Sequence, residues 1–355
     1  MNPALHPDGR PMLIGSQPLS DHAQAAQLVR AYVPDIPNWV QLPAYKREGM
    51  LAQYAAGLPG LAHDGDRTFV DTRSDHFDEE MLAFFEEYLA IGEQPDRIDQ
   101  SRFALSPEDA PGFYALRDHL AAKPDTLFAV KGQITGPITF CTGLTDQDRR
   151  AIFYDDGLRD AAVKMLSLKA AWQVRQLRKA GVPVIVFIDE PALAGYGSSE
   201  LISISKEDIG AVLHEVIAAI HEQGAAAGVH VCANTDWSLL LTSAVDIINF
   251  DANGYFDKFV LYGDQIKQFV TRGGCLAWGM VPTAQADQIE AATLDGLWAQ
   301  WQDFSRQMAA IGIPADTLRR QSFITPSCGT GSLTPALGQK VLELTQALSA
   351  KIREA

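Results

Sequence analysis

One histidine and two cysteines of this chain have the types and placement of a catalytic metal site. His230 and Cys232 lie two residues apart in GVHVC, and Cys328 follows much later in ITPSCG. Residues two apart on a β-strand point to the same face, so His230 and Cys232 could hold one ion together. Two thiolates and an imidazole suit Zn²⁺, and three protein ligands with an exchangeable fourth position are typical of catalytic zinc. The sequence therefore predicts a zinc site at His230, Cys232 and Cys328.

A zinc ion held by two cysteines is better suited to activating a thiol than to activating water. A thiol bound to such an ion loses its proton and becomes a strong nucleophile at neutral pH. We therefore expect transfer of an alkyl group to sulfur. The alternative is that these three residues belong to the core. The remaining cysteines, Cys141 and Cys275, have no histidine partner and are expected to be core residues.

Three carboxylates follow apolar runs and are further candidates for the site. Asp251 could be a weak fourth zinc ligand that a substrate displaces, or it could merely cap a loop. Asp189 could hold an ammonium group. Glu190 could join Asp189 in binding substrate, or it could be structural and paired with a base such as Lys131 or Arg175.

Eight short apolar runs separated by helical patterns predict the elements that position these residues. The runs are residues 12–16, 39–43, 127–134, 184–190, 228–232, 246–252, 275–281 and 322–328. Helical spacing is found at residues 78–91, 159–180, 206–223, 294–310 and 334–352. Alternation of strand and helix predicts a single (β/α)8 TIM barrel over residues 1–355. Residues 1–10 are expected to be irregular, and residues 46–125 to be a helical insertion.

Polar residues accumulate at the ends of the eight runs. Since barrel active sites lie at the carboxyl ends of the strands, this clustering predicts one site at the mouth of the barrel. In chain order the residues are Ser16, Gln41, Lys131, Thr135, Asp189, Glu190, His230, Cys232, Asp251, residues 280–283 and Cys328. Trp278 also lies near this mouth, where it could form a face for the alkyl donor or could simply pack in the core.

Composition and charge exclude several classes of protein. The chain has 355 residues and a net charge of −15, whereas nucleic acid requires a basic surface. No segment is long and apolar enough to cross a bilayer. The first ten residues lack the basic start and apolar run of a secretory signal. We therefore expect a cytoplasmic protein that binds neither nucleic acid nor membrane.

Five short motifs resemble those of a known enzyme family. They are IGSQP at residues 14–18, KGQITGPIT at 131–139, IDEPAL at 188–193, HVC at 230–232 and PSCG at 326–329. In this order and spacing they resemble the C-terminal catalytic barrel of cobalamin-independent methionine synthase, in the uroporphyrinogen decarboxylase/methionine synthase-like superfamily. The resemblance spans nearly the whole chain. It implies a TIM barrel and a homocysteine methyltransferase of methionine biosynthesis.

The resemblance also implies roles for particular residues. Zinc would be held by His230, Cys232 and Cys328, and the family's acidic ligand would fall on Asp251, where the family has Glu. Homocysteine would be held by Ile14 and Ser16, and by the carboxylate of Asp189. The catalytic set would then be Asp189 with the three zinc ligands. Glu190 and Trp278 are expected to complete the substrate site because of their positions at the strand ends, and not because of the resemblance.

Two departures from the family pattern concern the methyl donor. The family's N-terminal barrel, which helps bind folate, has no counterpart in this sequence. The family's histidine after the seventh strand is also absent, because residues 278–283 are WGMVPT and no histidine follows Cys232. We therefore expect a donor that leaves without protonation. Methylcobalamin or a methylated corrinoid protein is such a donor, as in the similar single-barrel core methionine synthases, and is expected rather than methyltetrahydrofolate.

Three other functions remain open from sequence. A methylcobamide:coenzyme M methyltransferase would share the H-x-C motif and the late cysteine. Its acceptor carries a sulfonate and no amine, which leaves Asp189 without a role. A uroporphyrinogen decarboxylase-like enzyme would need basic residues for its carboxylates. A non-catalytic scaffold stabilised by zinc would normally have four closed ligands, often in C-x-x-C pairs, which this chain lacks.

Overall fold

A curled parallel sheet of six strands forms the centre of the protein. The computed structural model describes residues 5–65, 67–122, 124, 127–197 and 203–355. The six strands are hydrogen-bonded in chain order. They are β3 (Val130–Thr135), β4 (Val184–Asp189), β5 (Ala226–Val231), β6 (Ile247–Phe250), β7 (Cys275–Val281) and β8 (Ser322–Pro326). These are the last six runs that the sequence predicts as strands, so the α/β class with parallel strands is confirmed.

The first two predicted strands do not form regular strands. Residues 12–16 and 39–43, with their neighbours Pro11 and Asn38, form β-pairs only as isolated bridges, at Pro11 with Ile324, Ser16 with Gln41, and Asn38 with Lys131. Prolines flank both segments, and a proline has no N–H to give to a ladder. The predicted eight-stranded barrel is therefore confirmed in its six-stranded parallel part and not in full.

Helices cover the outer face of the sheet and carry the insertion. The α-helices are α1 (His22–Tyr32), α2 (Ala52–Ala55), α3 (Phe77–Glu93), α4 (Pro111–Ala121), α5 (Pro137–Gly143), α6 (Asp156–Leu177), α7 (Lys206–Glu222), α8 (Ser238–Leu241), α9 (Ala252–Phe259), α10 (Gly263–Thr271), α11 (Ala286–Ala291), α12 (Leu294–Ala310), α13 (Ala315–Arg320) and α14 (Pro335–Glu354). Short 3₁₀ turns occupy Lys46–Glu48, Pro95–Gln100, Ile152–Tyr154, Arg178–Ala180, Pro191–Gly195 and Val260–Tyr262. The five predicted helical segments correspond to α3, α6, α7, α12 and α14.

Capping residues explain where several long helices begin. Asp155 caps α6 by accepting from the N–H of Leu158, and Ser205 forms a capping box with Asp208 at the start of α7. Such caps satisfy backbone N–H groups that have no partner within the helix. None of the described helices is long and apolar enough to span a membrane.

The predicted helical insertion contains an antiparallel hairpin that sequence reading missed. Strands β1 (Leu61–Asp64) and β2 (Arg67–Val70) pair within residues 46–125, beside α2, α3 and α4. Both strands are four residues long and mostly half-exposed or exposed, so neither contains an apolar run. Gly65 adopts a φ of +57°, which a glycine accommodates without strain in the connection.

Two apolar layers lie on the two faces of the sheet. One large cluster packs alternate strand residues against the helices and includes Cys141. A smaller cluster fills the inside of the curled sheet near the amino ends of its strands, and it consists of Met12, Ile36, Ala129, Ile185, Phe187, Ala226, Ile247, Cys275, Ala277 and Phe323. We call this inner cluster the plug. Cys141 and Cys275 are both buried, which confirms their prediction as core residues.

Candidate metal site

The inner face of the sheet changes from apolar to polar toward the carboxyl ends of the strands. In β4, Ile185 and Phe187 belong to the plug, and Asp189 follows on the same face. The register sets Asp189 beside His230 of β5, and His230 beside Asn249 of β6. The alternation of each strand therefore brings three polar side chains to one end of the sheet.

His230, Cys232 and Cys328 form a compact group at this end. Their candidate ligand atoms all lie within 4.8 Å of one another, and no other group of three metal-binding side chains was found among the described residues. Cys232 follows β5 directly, and Cys328 lies in the turn after β8. The three predicted ligands, which come from two distant parts of the sequence, are thus close enough to share one ion.

The imidazole of His230 is held so that one of its nitrogens has no partner. Its Nδ1 hydrogen-bonds to Oδ1 of Asn249, and its Nε2 is buried without a hydrogen bond. Burial lowers the pKa of His230 to about 4, so the ring is neutral at physiological pH. A neutral imidazole with a bare nitrogen is the form that binds a metal ion.

The two thiols of the group interact directly. The hydrogen bond from Cys328 lowers the pKa of Cys232 to about 7, whereas the same bond raises the pKa of Cys328 well above its ordinary value. One proton is therefore shared by two sulfurs that lie close together. Both cysteines are free and only partly buried. The two sulfurs and the bare nitrogen of His230 form a donor set that fits Zn²⁺. The metal ion would displace the proton that the sulfurs share.

Asp251 lies outside this group of three. Its Oδ1 accepts a hydrogen bond from the N–H of Gly254 at 2.8 Å and so caps α9. Asp251 therefore acts as a cap, which is the alternative to its predicted role as a zinc ligand. The carboxylate is still near enough to Cys232 to raise the pKa of its thiol slightly, and burial raises the pKa of Asp251 itself.

Asp189 carries a buried oxygen with no partner. Its Oδ1 makes no hydrogen bond, and burial raises the pKa of the carboxyl to about 7, while the charge of Lys131 opposes this rise. Lys131 is only 1% exposed. Its Nζ donates to the carbonyl of Ile14 and lies 5.0 Å from the ring centre of Phe187. Burial lowers the pKa of Lys131 to about 8, and Asp189 opposes that change. The buried ammonium of Lys131 and the half-buried carboxylate of Asp189 therefore act on each other here.

Ser16 lies against the turn that carries Cys328. Its Oγ accepts a hydrogen bond from the N–H of Gly331 at 3.2 Å, and its carbonyl accepts one from the N–H of Thr330 at 3.0 Å. A side chain at Gly329 would place its Cβ 2.1 Å from Ser16 Oγ, so only glycine allows this approach. Ser16 is thus brought beside the turn that carries Cys328, and the carbonyl of Ile14 accepts a hydrogen bond from Lys131.

The side chain of Glu190, predicted either to bind substrate or to be structural, has its hydrogen-bond partners at the start of α5. The side chain is fully buried, and its carboxylate accepts from the N–H groups of Ile138 and Thr139 at 2.9 and 2.8 Å and from the Thr139 hydroxyl at 2.6 Å. It therefore holds the start of α5, where the helix dipole favours a negative charge. The bases considered as its partners are engaged elsewhere, since Arg175 pairs with Asp96 at 2.7 Å.

Trp278 faces the helices and not the mouth of the sheet. It is fully buried among Phe250, Phe256 and Trp301, and its Nε1 donates to Ser322 Oγ at 2.9 Å. These contacts correspond to the packing role, which was the alternative to a donor-binding face at Trp278. In β7 the inner positions are taken by Ala277 and its alternate neighbours, so the tryptophan occupies the opposite face.

Asn249 is a residue of this site that sequence reading missed. Its one available signal is its position, two residues before Asp251 and therefore on the same face of β6. Sequence alone could not show that β6 lies beside β5 in a register that pairs Asn249 with His230.

Comparison with known proteins does not identify a family for this chain. No protein-family model matches the chain, and no curated protein matches it. Forty-one chains of solved structures match. One is a B12-independent methionine synthase from Shewanella sp. W3-18-1, solved in complex with selenomethionine. It is 18% identical, with a TM-score of 0.47 over 68% of this chain and 67% of that chain.

Proposed function

We propose that this protein is a zinc-dependent methyltransferase that transfers a methyl group to the sulfur of homocysteine. The observation that carries the proposal is the group His230, Cys232 and Cys328, whose ligand atoms lie within 4.8 Å of one another beside the unpaired carboxylate oxygen of Asp189. A thiol-activating metal and an acceptor for an ammonium group would thus meet at one end of the sheet.

The metal would be held by Nε2 of His230 and the sulfurs of Cys232 and Cys328. When bound, zinc would lower the pKa of a substrate thiol and keep it as a thiolate at neutral pH. Asp251 is not assigned as a resident fourth ligand, because its carboxylate caps α9. The fourth position is therefore assigned to the substrate sulfur.

The amino-acid part of the acceptor would be bound by groups around the metal. Asp189 would pair with its ammonium group, since Oδ1 of Asp189 is buried and has no partner in the protein. Ser16 and the backbone near Ile14 would hold its carboxylate, because Ser16 Oγ accepts from Gly331 and keeps its own proton to donate. Glu190 would act indirectly by fixing α5, and Trp278 has no role in this assignment.

The proposed donor is methylcobalamin or a methylated corrinoid protein. The substrate sulfur would attack the methyl carbon, forming a C–S bond while the Co–C bond breaks and its electron pair stays on cobalt. This leaving group requires no proton. The chain offers no histidine after Cys232 to supply one, which favours such a donor over methyltetrahydrofolate.

A direct assay tests the acceptor and the donor together. Protein with quantified zinc is given homocysteine or coenzyme M as acceptor, with methylcobalamin or methyltetrahydrofolate as donor. We expect methionine from homocysteine and methylcobalamin. Methylation of coenzyme M alone would refute the acceptor, and turnover with methyltetrahydrofolate alone would refute the donor. Porphyrinogen decarboxylation by zinc-free protein would replace the proposal altogether.

A pair of cysteine variants tests the metal site. We expect Cys328→Ser to lose most bound zinc and nearly all methyl transfer, because it removes one of three ligands. Cys275→Ser is the matched control, since Cys275 lies in the plug at the opposite end of the strands. Equal zinc content in the two variants would contradict the assignment. Loss of folding in zinc-free protein would instead indicate a structural zinc scaffold.

A further inference from the structure

We infer that Asn249 is a positioning residue that fixes the tautomer of His230 and thereby makes Nε2 the metal-binding nitrogen. The inference rests on the proposed metal site and deepens it. It concerns a side chain that would not touch the metal or the substrate. Its basis is a chain of hydrogen bonds that crosses the interior of the sheet from β5 to β8.

The orientation of the Asn249 amide is determined by its neighbours. Nδ2 of Asn249 donates to the carbonyl of Ala277 and to the hydroxyl oxygen of Thr325, each at 2.8 Å. A backbone carbonyl only accepts hydrogen bonds, so a flipped amide would set Oδ1 against another acceptor. The amide nitrogen must therefore face β7 and β8, and Oδ1 must face His230.

This orientation dictates where the imidazole carries its proton. Oδ1 of Asn249 only accepts, and it hydrogen-bonds to Nδ1 of His230. Nδ1 must therefore be the protonated nitrogen, which leaves a lone pair on Nε2. The other tautomer would lose this bond and would direct an N–H group at the two sulfurs.

Burial makes this choice of tautomer costly to reverse. Asn249 and Thr325 are 0% exposed and His230 is 3% exposed, so water does not compete for these bonds. Nε2 of His230 is buried with no hydrogen-bond partner in the protein. A bare, unpartnered nitrogen in the interior is unfavourable unless a ligand completes it. The network thus keeps the lone pair of His230 Nε2 free to bind a metal ion beside two thiols.

By orienting His230, Asn249 should strengthen the binding of zinc. Residues that orient a metal-binding histidine typically contribute about 10–100-fold in affinity. Asn249→Leu keeps the approximate size of the side chain but removes the acceptor. We expect it to weaken zinc binding by about tenfold or more. Asn249→Asp keeps an acceptor facing Nδ1, so it is expected to retain most of the zinc affinity even if it unfolds more easily.

Two measurements test the inference without any assay of methyl transfer. Zinc affinity is measured by chelator competition for the wild type, Asn249→Leu, Asn249→Asp and Thr325→Val. Thr325→Val is the matched control at the far side of the amide. Ala277 still orients the amide in that variant, so we expect affinity within about threefold of the wild type. Nitrogen NMR of the imidazole in zinc-free wild type is expected to show protonation at Nδ1.

Several outcomes would overturn the inference. They are an Nε2-protonated ring in the zinc-free wild type, wild-type zinc affinity in Asn249→Leu, or equal losses in the Leu and Asp variants. The NMR measurement needs no variant, so it decides the tautomer even if Asn249→Leu fails to fold. A protein that binds zinc as expected but methylates no thiol would refute the proposed function and leave this inference standing.

Discussion

At the scale of single residues, Asp189 and the buried Lys131 form a pair of opposite charges beside the candidate metal site. Lys131 lies near the start of β3 and Asp189 at the end of β4, yet each shifts the pKa of the other toward the ionised form, against the effect of burial. Lys131 also donates to the backbone of Ile14, which stands close to the proposed binding site of the acceptor carboxylate. Lys131 therefore lowers the pKa of the Asp189 carboxyl but makes no hydrogen bond to its Oδ1.

The pH dependence of acceptor binding should report this coupling. Because burial raises the pKa of Asp189 to about 7, the carboxyl becomes ionised as the pH rises through that region. We expect the KM for homocysteine to fall over the same interval. Lys131→Met removes the cation that opposes the effect of burial, so the pKa of Asp189 rises further. The fall in KM should then move to higher pH.

A second buried lysine provides the control for this profile. Lys169 is also 1% exposed, but its Nζ donates to the carbonyl of Arg102, away from the site. Lys169→Met should keep the wild-type pH profile even if it lowers stability. KM measured across the pH range in all three proteins decides the matter. An unchanged profile in Lys131→Met would contradict the effect of Lys131 on Asp189, and a flat wild-type profile would contradict the binding of the ammonium group by Asp189.

At the scale of elements, one buried carboxylate joins the end of β4 to the start of α5. Glu190 follows β4 directly and accepts three hydrogen bonds from Ile138 and Thr139 in the first turn of α5. Gly136, just before α5, has no side chain, and a Cβ there would collide with the Glu190 carboxyl at 2.1 Å. The two elements are therefore fitted to each other, which gives Glu190 a structural role.

Substitution of Glu190 should lower stability before it affects acceptor binding. Glu190→Ala leaves three donors without an acceptor, and each buried unsatisfied group costs about 1–3 kcal/mol. We expect the free energy of unfolding in urea to fall by roughly 3 kcal/mol or more. Glu79→Ala, on an exposed carboxylate at the start of α3, should change it little. A stable Glu190→Ala protein with a greatly raised KM would instead restore the predicted substrate role.

At the scale of the whole molecule, the parallel sheet is regular over its six strands, and two further segments pair with it only at isolated bridges. The ladder from β3 to β8 is continuous, whereas each of the segments 11–16 and 38–41 has one isolated bridge to the sheet and one to the other segment. The first segment packs inside the curled sheet through Met12, whereas Trp39 and Val40 of the second segment belong to apolar clusters outside the plug. Apolar packing and a few backbone hydrogen bonds together hold these segments in place.

Hydrogen exchange should separate these two parts of the molecule. The amides of Met12 and Gln41 each donate to an isolated partner, Ile324 and Gly15 respectively. Local opening breaks few bonds at such positions, and we expect these amides to exchange faster than those in the middle of β4 and β5. Exchange measured by mass spectrometry or NMR provides the comparison. Equal protection in both regions would indicate a fully cooperative eight-stranded barrel.

The sequence by itself determined the elements whose signals are local. Strand β7 and helix α12 have the bounds that their residue patterns predict, because apolar runs and helical spacing extend through their whole length. The shared face of His230 and Cys232 follows from alternation along one strand. The hairpin β1–β2 was missed because its strands are short and mostly exposed.

Tertiary structure decided where the remaining side chains point. Both faces of a covered parallel strand are apolar, so sequence could not show that Trp278 faces the helices. The carboxylates of Asp251 and Glu190 stand at strand ends, where the turn and the next helix set their direction. The bond from Asn249 to His230 depends on the order and register of two neighbouring strands. Local patterns carry no information on that register, which forms only when the sheet assembles.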